Sequence, residues 1–120
     1  MKKLINHILF LLIFLLTAFI SNAQEKKNNK VTTEFEVIGV CDMCKERIEN
    51  AALIKGVKYA EWDKKTGIIT VIYDDRKTTN ETIQEAIAEH GHDTPLVKAD
   101  SLDYNKLQDC CLYRDDVKVH

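Results

Sequence analysis

Alternation of apolar and polar positions begins at Val31. Val31, Thr33, Phe35 and Val37 share one face, with Thr32, Glu34 and Glu36 on the other, the period of a half-buried strand. Gly39-Val40-Cys41-Asp42-Met43 breaks that pattern. From near Cys44 the period becomes helical: Ile48, Ala51 and Ala52 recur on one side, Lys45, Glu46, Arg47 and Glu49 face out, and Gly56 supplies a stop. Ala60 and Trp62 mark a second strand, and Asp63 to Gly67 reads as a turn. In the third strand Ile69, Val71 and Tyr73 form the inward face and Ile68, Thr70 and Ile72 the other; the short link makes these two strands a hairpin. Thr78 and Glu81 stand at capping-box spacing, opening a second helix whose apolar stripe is Ile83, Ala86, Ile87 and His90. Gly91 ends it, and Leu96 and Val97 predict a closing strand with Pro95 at its start.

The order strand, helix, strand, strand, helix, strand predicts an α+β protein: a ferredoxin-like βαββαβ sandwich, two helices on one face of a four-stranded antiparallel sheet, over residues 31–98. Residues 99–120 form a short C-terminal extension, in which Tyr104 and Leu107 are spaced for one helical turn. Residues 24–30 are polar and lysine-rich, a flexible lead-in.

Residues 1–23 read as a signal peptide. Lys2 and Lys3 precede an apolar run from Ile8 to Ile20 broken only by Thr17, and Ser21-Asn22-Ala23 supplies a small-residue cleavage site after Ala23. The run is shorter than the roughly 20 residues of a spanning helix. No cysteine follows it to carry a lipid. The expected destination is the periplasm, or secretion, with no membrane attachment after cleavage; an uncleaved N-terminal anchor is the alternative. Composition adds two exclusions. A net charge of −2, made two units more negative by losing Lys2 and Lys3, offers no basic stripe for nucleic acid. With 45% apolar and 30% charged residues the chain is not disordered as a whole.

The chemistry lies in four cysteines in two pairs, all beyond the signal, in a compartment that permits disulfides. Cys41 and Cys44 sit where the first strand hands over to the first helix. Cys44 falls in the first helical turn, whose dipole favours an anion, so its thiol is expected to be acidified. A two-residue spacer lets both sulfurs converge, and two thiolates on an exposed loop suit Cu(I) or Hg(II) and leave room for an incoming thiol to take the ion. They do not by themselves complete the four ligands of structural zinc. A thioredoxin-like redox pair and a plain disulfide are the competing readings. No Ser-His-Asp set, catalytic carboxylate pair or glycine-rich phosphate loop is present, and nothing calls for an enzyme.

The stretch Val37-Ile38-Gly39-Val40-Cys41-Asp42-Met43-Cys44-Lys45-Glu46-Arg47-Ile48-Glu49 resembles the heavy-metal-associated domain. The likeness continues through Gly56-Val57, Ala60, Val71-Ile72-Tyr73-Asp74 and Ile83…Ile87…Gly91-His92, covering about residues 31–98. That family includes copper chaperones, the N-terminal modules of copper-exporting ATPases and the periplasmic mercury-binding protein. The resemblance implies delivery or sequestration of a soft ion, with Cys41 and Cys44 as ligands, Cu(I) first and Hg(II) or Zn(II) as alternatives. It implies as partner a metal-transporting ATPase, an efflux component or another cysteine-containing acceptor. The chain departs from the usual Gly-Met-x-Cys-x-x-Cys loop: the methionine before the first cysteine is missing, and Met43 lies between the cysteines.

His92 follows Gly91 where some copper chaperones place a histidine near the metal loop. It is an accessory ligand on that reading and a packed histidine on the other. Cys110 and Cys111 are too close along the chain to bond comfortably to each other, since a disulfide wants Cα atoms about 5.5 Å apart and neighbours sit about 3.8 Å apart. The Tyr104…Leu107…Cys110-Cys111-Leu112-Tyr113-Arg114 tail resembles an extension of some exported members of this family. Either it folds back and adds thiols to the first site or builds a second one, or its cysteines pair with Cys41 or Cys44 or stay free. Tyr104, Leu107 and Tyr113 are expected to dock it on the open face of the sheet.

Overall fold

A computed structural model describes residues 1–17 and 27–114. Helix α1, Lys2–Thr17, is the apolar N-terminal run, and its side chains through Leu15 are exposed. No helix among the described residues is long and apolar enough to cross a membrane. The cleavage site after Ala23 lies outside the described residues, as do residues 24–26 of the lead-in, His120 and the rest of the extension after Arg114.

The domain follows as β1 (Lys30–Glu36), α2 (Asp42–Ala52), β2 (Val57–Trp62), β3 (Ile68–Asp74) and α3 (Asn80–Glu89), then α4 (Ser101–Tyr104) and a 3-10 turn, Asp109–Cys111. The sheet is antiparallel in the order β1-β3-β2. Its register sets Phe35 and Trp62 on either side of Ile69, a row of large apolar side chains facing the helices. Ile48, Ala51 and Ala52 of α2 and Ile83 and Ile87 of α3 close over that face. Of the inward positions read from the alternation, Phe35, Val37, Ile69, Val71 and Tyr73 are buried, and Val31 and Thr33, toward the start of β1, are half-buried.

Trp62 is the centre of the frame. It is fully buried, and its indole N–H is shared between Val37 O and Gly67 O, 3.1 Å from each. Its backbone is tied to α2: Glu49 accepts from Trp62 N at 2.9 Å, and the Lys45 ammonium donates to Trp62 O at 2.6 Å and to Glu49. Two residues read as a solvated helix face thus fix α2 against the end of β2.

Three local expectations are corrected. No fourth strand forms at Leu96-Val97 among the described residues. Thr94 instead closes a turn, its N–H and hydroxyl both donating to Val97 O (2.9 and 2.8 Å) while its Oγ1 accepts from Val97 N (3.1 Å). Pro95 has no N–H for a ladder, and Leu96 is exposed. What remains beside β1 is one bond, Ile38 N to Asp93 O at 3.1 Å. Second, α3 is capped by Thr79, whose Oγ1 accepts from Thr82 N at 3.1 Å; Thr78 is buried one residue too early for that geometry. Third, the buried stripe of α3 is Ile83, Gln84, Ile87 and Ala88, while His90 is exposed, its Nδ1 2.7 Å from Ala86 O.

Candidate metal centre

Cys41 ends the approach from β1 in extended backbone (φ −145°, ψ 173°), and its carbonyl accepts the first helical bond from Lys45 N at 3.1 Å. Cys44 lies one turn further on, on the buried side of α2. The loop reaches this position because Gly39 has no side chain: a Cβ there would sit 3.1 Å from Cys44 Cβ, Ile48 Cδ1 and a ring carbon of Trp62. The two sulfurs stand 3.3 Å apart.

The tail completes the group. Cys111 Sγ is 3.2 Å from Cys41 Sγ, and the sulfurs of Cys41, Cys44 and Cys111 all lie within 4.8 Å of one another. Cys110 Sγ is 3.8 Å from Cys111 Sγ, 4.0 Å from Cys41 Sγ and 3.7 Å from Met43 Sδ. All four cysteines are free thiols. The pair at the loop is therefore not a bare two-sulfur site: Cys44 and Cys111 are fully buried, and Cys41 and Cys110 open to solvent. Met43 is 45% exposed and turned toward Cys110, so it does not stand in for a methionine packed beneath the loop.

The tail is docked by Tyr104, Leu107 and Tyr113 as expected, joined by Arg114, but on a different surface. Tyr113 Oη donates to Gly91 O at 2.8 Å and accepts from Asp93 N at 3.0 Å. Arg114 donates to Asp93 Oδ1 and Ala99 O, both at 2.7 Å, its guanidinium lies 4.3 Å above the Tyr104 ring, and its backbone N–H donates to Tyr104 Oη at 2.8 Å. Tyr104 packs edge-on to Tyr113 with centroids 5.1 Å apart. Leu107 lies on Gly91, which has φ +93° and where a Cβ would come within 2.9 Å of Leu107 and of Asp103 O. The dock is thus the C-terminal end of α3 and the segment after it, not the open face of the sheet.

The electrostatics of the thiols reverse one expectation. Burial pushes the Cys44 thiol up and outweighs the helix terminus. Burial also pushes Cys41 up, but hydrogen bonds to Cys111 and Cys44 more than offset it, so Cys41 has the lowered pKa. Burial and the neighbouring thiols raise Cys111. Of these three thiols Cys41 is therefore the most readily deprotonated, and an incoming cation displaces the protons of the thiols it binds.

His92 is fully buried but does not join the sulfurs. Its Nδ1 is 2.8 Å from Ile38 O, which can only accept, so Nδ1 carries the proton. Nε2 is buried with no partner, and the ring stacks on Tyr113 at 5.9 Å. Burial pushes the His92 pKa down to about 4, so the ring is neutral. It joins the loop to the tail rather than to the thiol group.

Comparison with known proteins bears on the domain that carries Cys41 and Cys44. No curated protein is matched by the chain. Among solved structures the chain is similar to "CopZ metallochaperone" (32% identity, TM-score 0.51, covering 53% of this chain and 98% of that one). It is similar to a putative copper-ion-binding protein from Bacillus anthracis str. Ames (25% identity, TM-score 0.53, 56% and 97%). It is also similar to oxidized MerP from Ralstonia metallidurans CH34 (25% identity, TM-score 0.52, 54% and 93%). The model of the heavy-metal-associated domain matches residues 34–93, the stretch holding Cys41, Cys44 and the sheet that supports them, and the chain belongs to that family.

Proposed function

We propose that this protein is an exported Cu(I) carrier that takes the ion into the thiols of Cys41, Cys44 and Cys111 and gives it up by thiolate exchange. The observation that carries this is the convergence of those three sulfurs within 4.8 Å. Thiolates select soft ions. Three sulfurs around one point favour an ion that accepts three thiolates over Hg(II) held linearly by two. Cys41 is the entry ligand, being partly exposed and of lowered pKa, and Cys44 and Cys111 close on the ion from the buried side.

Release follows the reverse order. An acceptor thiolate approaches Cys41 from solvent, binds the ion, and displaces the protein's thiolates one at a time. Such an acceptor is a cysteine pair of a metal-transporting ATPase, an efflux component or another cysteine-bearing protein. The similarity to the N-terminal domain of a potential copper-translocating P-type ATPase from Bacillus subtilis, 27% identical with a TM-score of 0.52, supports that choice. The apolar run before Ala23 supports export to the periplasm.

Competition titration of reduced protein with Cu(I), Hg(II) and Zn(II) tests the reading. Cu(I) is expected to bind in preference to Zn(II). Zinc binding as tight as copper, or catalytic turnover of the Cys41–Cys44 pair in insulin reduction, would overturn it.

A further inference from the structure

The four thiols form more than one metal-sized figure. Cys41, Cys44 and Cys111 make one triangle, with edges of 3.3 and 3.2 Å at Cys41. Cys41, Cys110 and Cys111 make a second, with edges of 4.0, 3.8 and 3.2 Å. The two share the Cys41–Cys111 edge. With a metal–sulfur bond of about 2.3 Å, the length of a zinc–thiolate bond, an ion at the centre of a sulfur triangle needs edges of about 4 Å. The outer triangle has two edges of that size, and both triangles reach it once side-chain rotation at Cys41 lengthens its 3.2 and 3.3 Å edges to Cys111 and Cys44. Met43 Sδ, 3.7 Å from Cys110 Sγ, adds a thioether on the outer side of the second triangle and of no other cysteine at that range. A thioether is a ligand for Cu(I) rather than for Zn(II).

We propose that one chain binds two Cu(I) ions in a single cluster, with Cys41 and Cys111 bridging, Cys44 completing the inner site, and Cys110 with Met43 completing the outer one. This rests on the Cu(I) reading above and extends it from one ion to two. Binding is coordination without redox change: each thiol that ligates gives up its proton to solvent, and both ions stay Cu(I). The outer site is the exposed one, since Cys110 and Met43 both face solvent while Cys44 is fully buried. It therefore loads last and empties first, and the inner ion is the retained one.

The test is an anaerobic Cu(I) titration of the full reduced chain against a chromophoric Cu(I) chelator, with native mass spectrometry on the same samples. The expected result is a plateau at two equivalents in a species containing a single chain. Cys110→Ser is expected to lower the plateau to one equivalent while the first ion binds as before. Met43→Leu keeps two equivalents but weakens the second by about tenfold, the low end of what losing a supporting contact costs a metal site. Both positions are at the surface, and far-UV circular dichroism checks that the variants fold. A plateau at one equivalent in the wild type overturns the proposal, as does two equivalents retained in Cys110→Ser, or copper found only between two chains. Absence of Cu(I) binding, or one Zn(II) held by all four thiols as tightly as copper, overturns the underlying reading instead.

Discussion

The loop at Cys41–Cys44 and the tail at Cys110–Cys111 bring similar chemistry to one point by different physical means. The loop is positioned from within the domain: strand β1 ends, Gly39 lets the backbone pass over Trp62 and Ile48, and α2 begins at Cys41. Among its described residues the tail has a four-residue helix and a single 3-10 turn. Tyr104, Leu107 and Cys111 join the edge of the buried core, and Tyr113 and Arg114 add polar grips on Gly91, Asp93 and Ala99. Ligands held by the core share the stability of the core. Ligands held by a latch can be released while the domain stays folded. The difference predicts that the tail opens at lower cost than the loop.

Changes ordered by expected size break or sharpen that contrast. The largest is Trp62→Ala, which empties the centre of the frame and removes the indole donor from Val37 O and Gly67 O; about 4 kcal/mol of stability is expected to go. Urea unfolding should show loop and tail lost together in one transition. Survival of ordered Cys41 and Cys44 in that variant would contradict a core-held loop.

Next is acid. His92, at the joint between the loop and Tyr113, has a folded pKa of about 4 against an ordinary value of 6.5. Its folded pKa is depressed, so the unfolded chain takes up the proton first. The contribution is complete above about pH 6.5, falls as pH drops toward 4, and is gone below that. The whole span is worth about 3 kcal/mol. Stability measured from pH 7 to 4 should show this loss, and His92→Gln should flatten it.

A smaller effect is expected from Tyr113→Phe. The ring stays, but the hydroxyl that donates to Gly91 O and accepts from Asp93 N is removed, at a cost of about 1–2 kcal/mol. The loss should be local. Thiol-labelling rates should rise at Cys111 and remain unchanged at Cys44, which α2 buries. Equal acceleration at both would mean that loop and tail are one cooperative unit. The smallest effect belongs to Lys64→Ala, which removes an ion pair to Asp42 at 3.0 Å on the rim of the loop. Asp42 is 84% exposed in its side chain, so under about 1 kcal/mol is at stake and labelling of all four cysteines should stay as in the wild type.

Legibility in the sequence followed the range of the interactions. Strands β1 and β3 and the buried side of α2 were plain, because one buried face imposes a period of two or of 3.6 on neighbouring residues. The closing strand failed because Leu96-Val97 is two residues long, too short for a period, and a Thr94 turn outcompeted it. The cap moved from Thr78 to Thr79 because capping depends on which threonine lies in extended backbone just before the helix, a distinction adjacent threonines do not reveal. The Cys44 acidity was misjudged for a similar reason: helix position is local, but burial in the folded core is not.

The sequence alone determined the α+β class, the handover from strand to helix at Cys41, and the pairing of two thiols across a two-residue spacer. These are set by patterns a few residues long. Tertiary structure decided the rest. It brought Cys111 from 70 residues away to 3.2 Å from Cys41, turned Met43 outward to Cys110, and directed His92 to Ile38 O instead of to the thiols. The two sulfur contacts accompany the grip of Tyr113 and Arg114 on the bend after α3. No local period encodes such a grip, because its energy exists only once both partners have folded.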